Sequence, residues 1–178
     1  MEIAERVPMR VASTSAASVH AAAHVLIIWK SSRELQLYQS VGEQRVLVTT
    51  CRIALGSQPL GPKRREGDGA TPEGNYFITH KNGSSKYHLS LGISYPNLDD
   101  AAAGLNAGLI NKEQLCSIAT SLRNGQKPLQ HTGLGGDIFI HGGGSARDWT
   151  AGCIALENSD IEQLFECLAL RTPITILP

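Results

Sequence analysis

The segment DIFIHGGGSARDWTAGCIALEN, residues 137–158, decides how this chain is interpreted. It consists of a short apolar run, a glycine-rich loop and a second apolar run, a pattern that predicts two neighbouring strands. His141 ends the first run and Cys153 begins the second. The segment therefore predicts that an imidazole and a thiol meet at one place in a sheet.

The pairing of His141 with Cys153 fits nucleophilic catalysis. A thiol becomes a strong nucleophile when it loses its proton, and an imidazole within hydrogen-bond reach can accept that proton to give a thiolate–imidazolium pair. Gly152 permits a backbone turn that other residues resist, which lets the amides of residues 152 and 153 bind a developing oxyanion. The alternative is structural, because cysteine is often buried and Cys153 is followed closely by the apolar sequence IAL.

Composition is that of a globular chain of 178 residues, most simply one domain. The 16 basic residues balance 16 acidic residues, which argues against a protein that grips nucleic acid by bulk charge. No apolar run approaches the roughly 20 residues of a membrane span. Residues 1–22 are interpreted as a loose N-terminal tail or a poor or clipped export signal, since VASTSAASV is too polar for an ordinary signal peptide.

Residue spacing gives little support to metal chemistry. The four cysteines form no C-x-x-C pair, so the usual zinc and dithiol spacings are missing. His131 and Asp137 lie close in the sequence, but no third ligand or general-base acid accompanies them at the spacing of a zinc peptidase. We therefore predict no metal and no cofactor, and a Cys153 thiol that stays outside any internal disulfide.

The rest of the chain is predicted to be mostly β, with few helices. Residues 56–74 contain glycine, proline and charge without a period, which predicts a long loop. Capping-box patterns predict one helix after Asn111, with Gln114, and another after Ser159, with Glu162. Apolar or alternating stretches predict strands at 24–29, 35–38, 44–55, 75–81, 86–96 and 174–177. We expect a β-sandwich or curved sheet with a helical insertion near 98–125 and a C-terminal helix.

The loop HGGGSARDWTAGC resembles the signature of the L,D-transpeptidase (YkuD-type) catalytic domain: histidine and glycine, a loop, then Ser or Thr, any residue, Gly and Cys. Earlier blocks resemble the same family in order, among them IALGSQPLGPKRREGDGATPEGNYFI and KYHLSLGISYPN. The resemblance is to the branch with the Gly-Cys-Ile-Ala-Leu form. It implies a mostly β, sandwich-like catalytic domain over residues 23–178.

The resemblance also implies an activity, which is cysteine-dependent transfer on peptidoglycan stem peptides in the periplasm or cell envelope. Cys153 would attack the bond between a diamino acid and D-alanine, release D-alanine, and hold an acyl-enzyme for an amine acceptor. His141 would be the general base and then the general acid, oriented by the carbonyl of Gly142 or Gly143. Gly152 and Cys153 would supply the oxyanion amides.

Three further residues are predicted to bind substrate: Tyr87, Arg147 and Thr150. Strand alternation places Tyr87 and its neighbour on opposite faces, and Tyr87 is assigned to the cleft. The alternative for Arg147 is a solvated charge with no substrate contact. The alternative for Thr150 is a hydroxyl that stabilises a turn.

The sequence also departs from the family pattern close to the cysteine. Ala155 stands where well-known family members carry arginine or asparagine, and Ala151 where some carry histidine. These departures keep two alternatives open: an L,D-carboxypeptidase or amidase that hydrolyses a stem-linked amide, and a catalytically silent peptidoglycan-binding module.

Overall fold

A computed structural model describes residues 24–178 of the chain. The predicted N-terminal tail or export signal, residues 1–22, lies outside the described residues. The described part contains three helices, α1 (Leu98–Asn106), α2 (Lys112–Arg123) and α3 (Asn158–Cys167). Its strands are β1 (His24–Trp29), β2 (Glu34–Val41), β3 (Gln44–Arg52), β4 (Gly74–Ser85), β5 (His88–Ile93), β6 (Phe139–His141), β7 (Ile154–Ala155) and β8 (Pro173–Leu177).

The strands form one mixed sheet in the order β3-β2-β1-β8-β4-β5-β6-β7. Strand β4 joins the two halves of this sheet, because its residues 74–77 pair with β8 and its residues 78–85 pair with β5. Only β1–β8 and β6–β7 are parallel pairs. The predicted fold class, mostly β with a helical insertion and a C-terminal helix, is confirmed.

The two edges of the sheet meet beside the histidine–cysteine loop. Ala54, just after the edge strand β3, exchanges two backbone hydrogen bonds of 2.8 Å with Ala155 of the opposite edge strand β7. The curled sheet encloses one apolar core that draws on strands from both halves and on α3. Cys153 therefore lies where both edges of the sheet are tied together.

The helical insertion follows the predicted capping pattern in α2 but adds a second helix. Asn111 and Gln114 form the predicted capping box, and Asn97 with Asp100 forms another at the start of α1. A small apolar cluster that includes Ile118 and Leu134 packs the insertion. Within residues 24–178, no helix has both the length and the apolar character that crossing a membrane requires.

The predicted capping box at Ser159 is wrong. Helix α3 begins two residues earlier than predicted, its N-cap is Glu157, and no side-chain hydrogen bond caps it. The polar side chains at this helix start bind the glycine loop instead: Asn158 Oδ1 accepts from Gly143 N at 3.0 Å, and Glu157 Oε1 accepts from Ser145 N at 2.8 Å. The start of α3 thus fixes the loop after His141 rather than its own backbone amides.

Two buried lysines stabilise the predicted long loop, Lys30 from the end of β1 and Lys63 from within the loop. Lys30, which is 2% exposed, donates to Thr71 O at 2.9 Å and to Glu73 Oε1 at 2.8 Å. Lys63, also buried, donates to Asp68 Oδ1 at 2.9 Å. Strand β3 ends at Arg52 and β4 begins at Gly74, so residues 53–73 contain no helix or longer strand. These ion pairs give the loop a fixed shape, although its sequence shows no helix or strand pattern.

Candidate active site

His141 ends strand β6 and is 2% exposed. Its Nδ1 lies 2.6 Å from Gly142 O. A carbonyl oxygen can only accept, so Nδ1 must carry the proton and Nε2 keeps its lone pair. Gly142 is restricted to glycine by space, because a Cβ there would stand 2.5 Å from Asn158 Oδ1. The backbone therefore sets the tautomer in which His141 can act as a base.

Two aromatic side chains hold the imidazole in place. The ring of Tyr87 stacks on His141 with centroids 4.5 Å apart and an angle of 20°. Trp149 meets both rings edge-on, at 5.3 Å from Tyr87 and 5.6 Å from His141. Tyr87 reaches this position from the two-residue turn between β4 and β5 and not from within a strand, which corrects the predicted strand at 86–96. Tyr87 lines the cleft, and its contact with substrate stays a prediction.

Cys153 lies on the same face of the sheet as His141. Ile154 pairs with Ile140 and Ala155 with His141, so this register sets Cys153 beside Phe139, one diagonal step from the histidine. Its Sγ contacts Phe139 N at 3.4 Å and Asp137 O at 3.6 Å. Among the described residues the sulfur makes no hydrogen bond to the imidazole.

Burial favours the neutral form of both reacting groups. Burial raises the pKa of the Cys153 thiol, and this outweighs the hydrogen bond from Phe139 N and the distant charges of Lys63 and Lys86. Burial also lowers the pKa of His141, opposed by its hydrogen bond to Gly142 and reinforced by the charge of Lys86. The sequence predicted a thiolate–imidazolium pair, whereas these shifts favour a thiol and a free base until substrate binds.

We expect alkylation of Cys153 in the free protein to be slow at neutral pH and to accelerate as the pH rises. The thiolate is the reactive form, and burial moves the pKa of this thiol above its ordinary value of 9.0. Mass-spectrometric mapping of iodoacetamide labelling from pH 6 to pH 10 measures the rate, with exposed Cys116 as the internal reference. A Cys153 labelling rate that already levels off below pH 7 contradicts the neutral resting pair.

Thr150 and Gly152 shape the turn that carries the cysteine. Thr150 Oγ1 donates to Cys153 O at 2.7 Å and accepts from Gly152 N at 3.1 Å. Gly152 has φ of 132°, and a Cβ there would lie 2.7 Å from Ala70 O, so only glycine fits. The Gly152 amide is engaged by Thr150, so it must change partner before it can bind an oxyanion. Within the described part of the chain, the Cys153 amide has no hydrogen-bond partner.

A partly buried ion pair anchors the loop that precedes the cysteine. Asp148 accepts from Arg33 Nη2 at 2.7 Å and from Leu55 N at 2.8 Å, and these bonds hold its carboxyl pKa low in spite of partial burial. Trp149 N and Thr150 N both donate to Leu55 O at 3.1 Å. Arg33 lies 115 positions from Asp148, which is why no local pattern in the sequence reveals this anchor.

The reacting side chains open into a cleft of about 520 Å³. Arg147 is exposed and does not line it, so the structure does not support the predicted substrate contact of Arg147. Further lining residues come from alternate positions of residues 137–141 and from the hairpin β4–β5. The sequence did not identify them as residues of the cleft. The lining consists of Asn82, Ser84, Ser85, Lys86, Tyr87, Ser90, Asp137, Phe139, His141, Trp149, Thr150, Ala151 and Cys153.

Asp137 and His131 do approach each other, but Asp137 is already paired with a lysine. His131 Nε2 lies 3.5 Å from Asp137 Oδ2, and Lys127 Nζ lies 2.9 Å from Asp137 Oδ1. Between His24 and Pro178 no group of three or more His, Cys, Asp or Glu side chains is arranged to hold a metal ion. The four cysteines in the same range are all free thiols.

Comparison with known proteins agrees with this geometry. Residues 23–176 match the YkuD family, described as the L,D-transpeptidase catalytic domain. The chain belongs to this family. The family relation that the histidine–cysteine loop predicted is therefore confirmed.

Relatives are larger than the part they share with this chain. YafK of Escherichia coli (strain K12), whose name carries a provisional L,D-transpeptidase assignment, is 39% identical over 79 residues, which are 43% of this chain and 32% of YafK. The helical cell shape determining protein Pgp2 of Campylobacter jejuni (K307A mutant) aligns with TM-score 0.63 and 23% identity over 88% of this chain and 47% of its own. Bd1075 of Bdellovibrio bacteriovorus aligns with TM-score 0.56 and 24% identity over 90% and 50%. These solved structures share the fold of the L,D-transpeptidase domain seen here.

Proposed function

We propose that residues 23–178 form a cysteine acyltransferase that acts on the stem peptides of peptidoglycan in the periplasm or cell envelope. The observation that carries this proposal is the place of His141 and Cys153 on one face of the sheet, inside one cleft, with the Nδ1 proton of His141 already bound to Gly142 O at 2.6 Å. That bond leaves Nε2 as the acceptor for the thiol proton. Membership of the L,D-transpeptidase family supplies the substrate class.

The first half-reaction uses residues of this cleft alone. His141 Nε2 takes the proton from Cys153 Sγ, and the sulfur attacks the carbonyl of the diamino-acid residue in the stem. The amide of Cys153 receives the oxyanion, joined by that of Gly152 once it leaves Thr150. His141 then passes its proton to the amine of D-alanine, which departs and leaves a thioester on Cys153.

The second half-reaction decides the product. An amine from another stem attacks the thioester in a transpeptidase, whereas water attacks it in an L,D-carboxypeptidase or amidase. Transfer requires a held amine, because positioning gives the acceptor its advantage over water. Family membership favours transfer. One observation favours hydrolysis: Ala155 is fully buried between His141 and Ala54, so the position two after the cysteine offers the cleft no polar group.

A product analysis separates the two outcomes. Peptidoglycan fragments with tetrapeptide stems are incubated with the protein, digested with a muramidase, and weighed by mass spectrometry. Transfer gives dimers linked between the third residues of two stems, and hydrolysis gives tripeptide monomers. Tripeptide monomers alone, with abundant acceptor and at raised pH, would replace the transferase assignment with a carboxypeptidase. Unchanged tetrapeptide, with wild-type protein shown to be folded, would contradict both.

A further inference from the structure

The turn between β4 and β5 places a lysine at the mouth of the cleft. Ser85 pairs with His88, which leaves Lys86 and Tyr87 as a two-residue turn whose side chains both line the cleft. Lys86 Nζ lies 4.8 Å from the centroid of the Tyr87 ring, and that ring stacks on His141. A cation–π contact thereby holds the ammonium over the tyrosine ring that stacks on the catalytic histidine.

Lys86 carries the uncompensated charge of this cleft. The cleft lining contains one other charged side chain, Asp137, which already pairs with Lys127. Within residues 24–178, Lys86 has no salt bridge to any carboxylate. An ammonium that faces a cleft without a partner inside the protein suits an anionic group on the ligand.

Polar groups beside Lys86 complete a binding site for an anionic group. Ser85 Oγ accepts from Tyr87 N at 3.1 Å, which leaves its hydroxyl proton free to donate. Asn82 Oδ1 accepts from Ser84 N at 2.9 Å and so fixes the strand end that carries both serines. The lysine and the two hydroxyls therefore stand on one wall of the cleft.

We propose that Lys86, with the Ser85 hydroxyl, binds the terminal carboxylate of the residue that leaves when Cys153 is acylated. This inference rests on the proposed function. The leaving amine must sit at His141, since the histidine protonates it, and in an α-amino acid the carboxylate carbon is two bonds from that amine. The wall next to His141 is the one formed by Tyr87 and Lys86. A carboxylate there meets the free ammonium without displacing any internal ion pair.

The proposal makes Lys86 a specificity residue. Donors that end with a free carboxylate one residue after the scissile bond are bound through a charge-assisted hydrogen bond. Donors whose last residue is amidated or extended lack that charge at the same place. Lys86 thus selects stems with a free terminus, and it does so through substrate binding rather than through the chemical step.

The test compares two donors and four proteins. A disaccharide-tetrapeptide with a free C-terminal carboxylate and the same compound with a C-terminal amide are titrated calorimetrically into Cys153→Ala protein, which binds without turnover. The titration is repeated with Lys86→Met and with Lys86→Arg in the same background. Lys112→Met, at the exposed start of α2, is the matched control.

The expected result is a loss of affinity of at least about tenfold in Lys86→Met for the free carboxylate donor only, with most of it restored in Lys86→Arg. Equal affinities of the Cys153→Ala parent and its Lys86→Met variant for the free carboxylate donor, equal losses for both donors, or no measurable binding of either donor would overturn the proposal. A failed acyltransferase assignment gives a different result: the Lys86-dependent binding is present, yet protein with Cys153 intact never releases D-alanine.

Discussion

Replacing Cys153 by alanine is expected to lower kcat/KM by at least about 10⁴-fold, while the fold is retained. The reason is that the sulfur makes the covalent bond to the acyl group, and no neighbouring side chain in the cleft is a second nucleophile of that kind. Release of D-alanine from a disaccharide-tetrapeptide measures the activity, and circular dichroism with thermal unfolding checks the fold. His141→Ala should lose nearly as much, and the double variant little more, because the two groups act as one unit.

Cys116→Ala is the matched control for this experiment. Cys116 lies on α2 as an exposed free thiol, away from the cleft lining, so its removal should leave activity within about twofold of wild type. Activity in Cys153→Ala comparable to that in Cys116→Ala would show that the nucleophile has been assigned to the wrong residue.

The second large effect is expected on stability, and it comes from the ion pair at the end of the long loop. Glu73→Ala should reduce the free energy of unfolding by about 3–5 kcal/mol, because it leaves the ammonium of Lys30 buried without its counter-charge. Urea unfolding followed by tryptophan fluorescence measures the change. Activity should fall as well, since Ala70 O of the same loop packs against Gly152 beside the nucleophile.

An exposed carboxylate supplies the comparison for Glu73. Glu43→Ala, in the exposed turn between β2 and β3, is expected to change the free energy of unfolding by less than about 0.5 kcal/mol. The double variant Lys30→Met with Glu73→Leu removes both charges and should recover most of the stability that Glu73→Ala loses. Equal stabilities of Glu73→Ala and Glu43→Ala would mean that the buried pair does not hold the loop.

The sequence predicts well those features that depend on neighbouring residues. Short apolar runs predict β1 and β8, and the Asn111–Gln114 pattern predicts the start of α2, because both kinds of pattern are local. The glycine loop predicts that His141 and Cys153 lie close together, and this prediction also depends on neighbouring residues. A strand, a loop and the next strand are consecutive in the chain and adjacent in the sheet.

Features that depend on distant residues escape such prediction. The pattern at Ser159 and Glu162 is local and still gives the wrong helix start, because Asn158 and Glu157 are drawn to the glycine loop by contacts across 15 and 12 positions. Arg147 looks like a cleft residue in the sequence, but its neighbour Asp148 is held by Arg33 from the far side of the chain. Lys86 becomes visible as a cleft residue only when β4 and β5 are paired.

Intact-mass spectrometry of the protein with a tetrapeptide donor tests the central claim most directly. The protein is mixed with a disaccharide-tetrapeptide without acceptor, quenched in acid within seconds, and digested to locate any adduct. The account predicts a mass increase equal to the donor minus D-alanine, carried by the peptide that contains Cys153 and absent from His141→Ala. Release of D-alanine by wild-type protein with the adduct on another residue, or with none formed even under rapid quenching, would contradict it.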